Sequence, residues 1–264
     1  MAEINKGNEM NMEARATHVR CIILAGGKGA RLRSRVADLP KPMAPVADRP
    51  FLELLLDQLE HQNIHDIVLS LGYKSEHIVR YFEERPRATQ RLNFVIEDAP
   101  MGTGGAIRMA AEQHPAPYYL VLNGDSFCDT DLQDFISSVY RSEFTNGMLA
   151  ALQPDCSRYG KLTVHKHSGK VIMIEEKKPN AGPGLINAGV YFLSAEFLHK
   201  HCPQQGAFSF EQTAFPALVG GGLYAYTKAG PFIDIGIPED YDFLCAHKEQ
   251  FFPQRKATLS ALSN

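Results

Sequence analysis

Short apolar runs recur through the first half of the chain, each followed by a longer stretch whose apolar positions repeat at helical spacing. The runs cover residues 21–24, 67–71, 92–96 and 118–122, and their brevity and β-branched content predict buried strands. Between them, residues 50–62, 74–84, 104–114 and 132–142 predict helices. Such alternation implies right-handed crossovers and a mostly parallel sheet with helices on both faces. Beyond residue 145 strands predominate, at 148–153, 161–165, 171–176, 190–193 and 223–227, closed by a helix over 238–251. The expected fold class is α/β: a Rossmann-like, mostly parallel mixed sheet flanked by helices, with a strand-rich second half.

Composition narrows the classes. A chain of 264 residues can bury a sizeable core as one domain, expected here over 19–252 with no internal repeat or linker. Residues 1–18 are polar and lack the apolar centre of a secretory signal, which predicts a disordered tail; 253–264 is expected to be a loose end. A formal net charge of -3 argues against a nucleic-acid partner, and no apolar stretch approaches membrane-spanning length. The five cysteines are scattered without metal-ligand spacing, which fits reduced thiols in a cytoplasmic protein. The ten histidines make no metal motif either; His61 and His65 have helical spacing, but the residues between them read as a helix end.

The first strand runs into Leu24, Ala25, Gly26, Gly27, Lys28, Gly29, Ala30, Arg31 and Leu32. Three glycines in four positions let backbone N–H groups approach an anion without a Cβ in the way. Lys28 and Arg31 add positive charge, so the loop is a candidate phosphate cradle. Two familiar phosphate motifs fail. The dinucleotide pattern needs a small residue at Leu32, and the P-loop needs Ser or Thr at Gly29. Downstream, Leu39-Pro40-Lys41-Pro42-Met43-Ala44-Pro45-Val46 has three prolines in six residues, which predicts an extended segment holding Lys41 on a stiffened backbone.

Together these residues resemble the sugar-1-phosphate nucleotidyltransferases, whose pattern is L-A-G-G-x-G-T-R-L followed by K-P-x-x-P-V. One departure is Ala30, where the family usually carries threonine. The resemblance implies a nucleotide-binding half over about 19–145, with Leu24 to Gly29 on the nucleotide, and a sugar-phosphate-binding half over about 146–252. It implies catalytic roles for Arg31 and Lys41.

An Asn123-Gly124-Asp125 turn ends the fourth run and places Asp125 at the carboxyl edge of the sheet, where ligands of open α/β sheets bind. Asp234 lies in an apolar strand before Gly236 and Pro238; a cation there would offset its desolvation. In the family two such aspartates hold the metal, so the resemblance implies Mg2+ on Asp125 and Asp234, the usual ion shared between carboxylates and nucleotide phosphates.

Glu97 precedes a second glycine-rich stretch, Pro100-Met101-Gly102-Thr103-Gly104-Gly105-Ala106. In the family this loop wraps the base, which puts Gly102 and Thr103 on the nucleotide and Glu97 on the base edge. A carboxylate only accepts hydrogen bonds. Guanine's two adjacent donors suit it best, and cytosine's amino group comes next. Toward the acceptor, the resemblance implies sugar-phosphate contacts at Gly160, Glu176, Lys177, Asn187 and Glu211. The runs around Asn187 and Glu211 look most like the branch acting on manno-configured sugars.

The resemblance implies condensation of GTP with a manno-configured sugar 1-phosphate, best matched by D-glycero-D-manno-heptose 1-phosphate, giving GDP-sugar and pyrophosphate for surface polysaccharide. Mannose 1-phosphate with GTP and N-acetylmuramate 1-phosphate with UTP are neighbouring alternatives. A different class is a non-catalytic nucleotide-sugar-binding subunit, which need not keep all of Arg31, Lys41, Asp125 and Asp234. GTP and the sugar phosphate are the expected partners, and homo-oligomer formation is left open.

Overall fold

The computed structural model describes residues 19–252, so the tails expected at 1–18 and 253–264 lie outside the described residues. The first half runs β1 (Val19–Leu24), β2 (Pro45–Val46), β3 (Arg49–Pro50), α1 (Phe51–His61), β4 (Asp66–Leu71), α2 (Ser75–Glu84), β5 (Arg91–Ile96), α3 (Gly102–Gln113), β6 (Tyr118–Asn123), β7 (Ser126–Cys128) and α4 (Leu132–Arg141). The second half adds β8 (Gly147–Gln153), β9 (Lys161–Val164), β10 (Val171–Glu175), β11 (Gly184–Ser194), α5 (Ala195–His201), α6 (Phe210–Thr213) and α7 (Phe215–Gly221). It closes with β12 (Tyr224–Tyr226), β13 (Phe232–Asp234), α8 (Pro238–Ala246) and α9 (Lys248–Phe251).

Nine strands form one mixed sheet in the order β10-β9-β11-β6-β1-β4-β5, with β8 beside β11 and β12 beside β8. The spine β6-β1-β4-β5 is parallel, while β11 runs antiparallel to both β6 and β8. Side chains alternate across a strand, and the core divides accordingly. Cys21, Ile23, Ile67, Leu69, Leu120 and Leu122 pack with α1, α2 and α4 on one face. Ile22, Val68, Val95, Tyr119 and Val121 pack with α3, α5, α6 and α7 on the other. Burial on both faces explains why the inner strands β1, β4 and β6 read as largely apolar runs.

Four expectations need correction. Lys41–Met43 forms a single 3₁₀ turn, not extended chain; Pro42 fits because the first helical turn has no partner for its missing N–H. The strand expected at 190–193 is eleven residues long, Gly184–Ser194. It bulges between Asn187 and Tyr191, and the polar and glycine residues there mask its pattern. The last helix is two, interrupted at His247. Helices α5, α6 and α7 were not foreseen; they fill the far face between β11 and β12.

The candidate active site

All four spine strands end at one edge of the sheet, and the segments leaving them build the site. After β1, the Ala25 N–H donates to the Ser70 carbonyl (2.8 Å) and the Tyr73 N–H to the Gly26 carbonyl (3.1 Å), lacing the glycine loop to the end of β4. Gly26 and Gly72 meet backbone to backbone: a Cβ on Gly72 would lie 2.9 Å from the Gly26 carbonyl oxygen. Leu24 and Ala25 anchor this loop from beneath, the Leu24 carbonyl accepting from the Gly124 N–H (2.9 Å).

Above the loop lies a cavity of ≈ 580 Å³ lined by Gly26, Gly27, Lys28, Tyr73, Glu97 and Thr103, among others. Gly102 also lines it. Glu97 follows β5, and its Oε2 accepts from the Met101 N–H (2.8 Å). Burial pushes its carboxyl above the ordinary glutamate value, while the Met101 N–H pulls the other way. Gly102 and Thr103 open α3 instead of forming a free loop. Gly102 has φ +68°, and a Cβ there would lie 2.5 Å from the Phe208 carbonyl oxygen, which itself accepts from the Gly104 N–H (3.0 Å).

Beside the cavity, three charged residues from distant segments converge. Lys41 Nζ donates to Asp125 Oδ2 at 2.5 Å and lies 3.9 Å from Asp234 Oδ1; its side chain is only 10% exposed. Gly29 makes room for it, since a Cβ there would sit 2.8 Å from Lys41 Cβ, and its φ of +56° is one glycine tolerates. The two aspartates are brought together by antiparallel pairing of β13 with β7, where Asp234 faces Ser126. The Ile235 N–H donates to the Asp125 carbonyl (3.0 Å), and Asp234 Oδ1 accepts from the Gly236 N–H (2.7 Å). Burial first, and then the Asp125 charge, raise the Asp234 carboxyl above its ordinary value, opposed by Lys41.

Two carboxylates that repel each other and already share an ammonium form a cation site by their own chemistry. No group of three or more His, Cys, Asp or Glu able to hold a metal occurs among the described residues. A dication here would therefore need further ligands from substrate or water, which is how magnesium is commonly held. The residues fit that ion. Arg31 is exposed on the turn after the loop.

The acceptor-side candidates are carried by three segments of the chain, around β9–β10, on β11 and on α6. Gly160 abuts β10, where a Cβ would lie 2.7 Å from the Glu175 carbonyl oxygen. Glu176 and Lys177 follow β10 and are exposed, while Lys178 pairs with Glu175 at 3.1 Å. Asn187, at the β11 bulge, donates to the buried Tyr191 hydroxyl (2.6 Å) and accepts from the Gly189 N–H (2.9 Å). Glu211 sits across the first turn of α3, accepting from the hydroxyls of Thr103 (2.8 Å) and Ser209 (3.0 Å). Glu211 is thereby tied to Thr103, which lines the cavity.

The family described as Nucleotidyl transferase matches residues 20–248. The chain belongs to that family. A D-glycero-alpha-D-manno-heptose 1-phosphate guanylyltransferase from Campylobacter jejuni is 36% identical over 84% of this chain and 97% of its own length. A mannose-1-phosphate guanylyltransferase from Mycobacterium tuberculosis is 31% identical over 86% of this chain and 64% of its own length. Among solved structures, HddC from Yersinia pseudotuberculosis complexed with GMP-PN is similar at a TM-score of 0.75 and 38% identity, covering 87% of this chain and 98% of that one.

Within this nucleotidyl transferase, two cavity-lining residues and one long-range ion pair escaped the sequence reading. Gly72 and Tyr73 line the cavity, and a glycine directly after a parallel strand, at the edge where ligands bind, is a signal that could have found them. Arg158 bonds to Asp240. Nothing local marks that pair, because 82 residues separate the partners.

Proposed function

We propose that the chain is a guanylyltransferase that condenses GTP with a manno-configured sugar 1-phosphate, D-glycero-D-manno-heptose 1-phosphate foremost, and releases pyrophosphate. The observation that carries this reading is the meeting of Lys41 with Asp125 and Asp234 beside a cavity floored by the glycine loop and walled by Glu97. The name of the Campylobacter relative supports the heptose, and the GMP-PN complex of HddC supports guanine.

An oxygen of the sugar phosphate attacks the α-phosphorus of GTP. A P–O bond forms as the bond from that phosphorus to the bridging oxygen breaks, and pyrophosphate leaves with the electron pair. The attacking phosphate is already anionic near neutral pH, so no enzyme nucleophile is required. Catalysis then rests on alignment and charge neutralisation. Glu97 accepts from the two adjacent donors of guanine, and Lys28 and Arg31 offset the triphosphate. Lys41 holds positive charge at the carboxylate pair, and Lys177 draws in the sugar phosphate. Asp125 and Asp234 would hold magnesium, which would supply Lewis-acid neutralisation of the charge on the reacting phosphates.

The product, a GDP-sugar, suits the cytoplasmic supply of surface polysaccharide such as lipopolysaccharide or capsule; no described helix is long and apolar enough to cross a membrane. The test mixes the protein with GTP, magnesium and, separately, heptose, mannose and N-acetylmuramate 1-phosphates. Pyrophosphate release is followed, and the nucleotide sugar is weighed by mass spectrometry. Turnover greatest with GTP and heptose 1-phosphate is expected. Preference for mannose 1-phosphate, favoured by the similarity to the mycobacterial enzyme, would change the sugar and keep the chemistry. Absence of pyrophosphate with every acceptor would overturn the reading in favour of a binding subunit.

A further inference from the structure

We propose that Arg158 holds the acceptor's phosphate beside Asp125 and Asp234, and that Asp240 parks its guanidinium in the ligand-free protein; this rests on the sugar-phosphate transfer proposed above. Arg158 lies in the connection between β8 and β9, so it reaches the site from the second half. Its Nη1 donates to Asp240 Oδ2 at 2.5 Å, and Asp240 stands in the first turn of α8, a few residues beyond Asp234. The guanidinium carbon is 5.5 Å from the centre of the Tyr159 ring. That ring packs edge-on against Phe232 at 5.7 Å, in the same short strand as Asp234. Arg158 is thereby tied to the strand that carries the second aspartate.

Lys41, Lys28 and Arg31 at this edge are otherwise engaged, and Lys177 draws the acceptor in from solvent without a fork to fix its phosphate. Lys41 is enclosed between two carboxylates, and Lys28 and Arg31 belong to the nucleotide loop. Lys177 is exposed beyond the end of β10. Arg158 is 40% exposed and Asp240 26%, so the pair is open to an incoming solute. Its bond to Asp240 uses one N–H. A phosphate dianion presents more acceptor oxygens than one carboxylate and can take two N–H groups of the fork together. Exchange of Asp240 for the acceptor's phosphate would put the attacking group on the second-half side of the aspartate pair and offset its repulsion from the triphosphate.

The test uses the full chain saturated with magnesium and the α,β-methylene analogue of GTP, whose α–β bond does not break, so binding is measured without turnover. Heptose and mannose 1-phosphates are titrated in by calorimetry. Arg158→Met should weaken sugar-phosphate binding on the order of tenfold or more, the loss expected for a bidentate charged contact. Arg158→Lys should recover only part of it, because an ammonium lacks the fork. Affinity for the nucleotide analogue alone should not change. Asp240→Asn should tighten sugar-phosphate binding, since the guanidinium no longer leaves a carboxylate. A strut between the β8–β9 connection and α8 behaves differently: Arg158→Met and Asp240→Asn would then weaken binding alike, and that result overturns the proposal. So does unchanged binding in Arg158→Met. If the parent binds neither sugar phosphate, the transferase reading has failed. Titrating inorganic phosphate into parent and Arg158→Met then decides whether this guanidinium takes an anion, and equal affinities reject it.

Discussion

At the residue scale, Asp125 and Asp234 act as one unit, because a single ammonium lies against both. Asp125→Asn and Asp234→Asn should each lower turnover by about 3 kcal/mol of transition-state stabilisation. The double variant should be little worse, since either loss already disables the pair. Pyrophosphate release at saturating magnesium reads both; near-parental turnover in either single variant would remove that residue from the mechanism. Glu97 offers a second test. Glu97→Gln turns an amide donor toward guanine's donors, and kcat/KM for GTP should fall by roughly 2–3 kcal/mol, the range for hydrogen bonds to a charged group, with a far smaller change for UTP. Burial holds the Glu97 carboxyl above the ordinary glutamate value, so on acidification it loses its acceptor form earlier than a free glutamate. Affinity for the GTP analogue should therefore fall as pH drops through that raised value, and the fall should be absent in Glu97→Gln. In the unliganded protein, Glu97 contributes most to stability when protonated. That contribution is lost as pH rises through its folded value.

At the scale of elements, the start of α3 is fixed by the Phe208 segment as much as by its own sequence. Phe208 donates its N–H to the Met101 carbonyl (2.9 Å) and accepts from the Gly104 N–H (3.0 Å). Gly102→Ala puts a Cβ against the Phe208 carbonyl in a left-handed backbone, which alone costs about 1–2 kcal/mol. Urea unfolding should show at least that loss, and KM for GTP should rise with it as the cavity wall shifts. The turn after β10 gives a contrast in two adjacent lysines. Lys178 makes an exposed pair with Glu175, worth about 0–1 kcal/mol, so Lys178→Ala should leave kinetics unchanged. Lys177→Ala should raise KM for the sugar phosphate with GTP binding intact. If the two results are exchanged, the acceptor segment is shifted by one residue.

For the molecule as a whole, the last helices close over the first half of the fold. Phe252 meets Phe127 at 4.5 Å and Phe51 at 6.0 Å between ring centres, the Tyr241 hydroxyl donates to the Pro45 carbonyl (2.5 Å), and Asp242 takes two nitrogens of Arg35. Phe252 is 5% exposed, and Phe252→Ala should cost about 3–5 kcal/mol, read as a lower denaturation midpoint in urea. Because α8 follows Asp234 directly, loosened packing there should also lower turnover. A variant with parental activity and lowered stability would separate the clamp from the site.

Local pattern alone sufficed for the spine strands and their helices, because burial of the inner strands on both faces leaves short, largely apolar runs that few other arrangements can use. The glycine loop stood out by residue type at short spacing, and the resemblance to the family singled out Lys41, Glu97, Asp125 and Asp234. Other features depended on the folded chain. The β11 bulge and helices α5 to α7 answer to what they pack against, and their local patterns are weak. The contact of Lys41 with both aspartates spans 84 residues to Asp125, and the Arg158–Asp240 bond spans 82. Such pairs are set by strand order and by β7–β13 pairing, long-range choices of the whole fold that no local window of sequence contains.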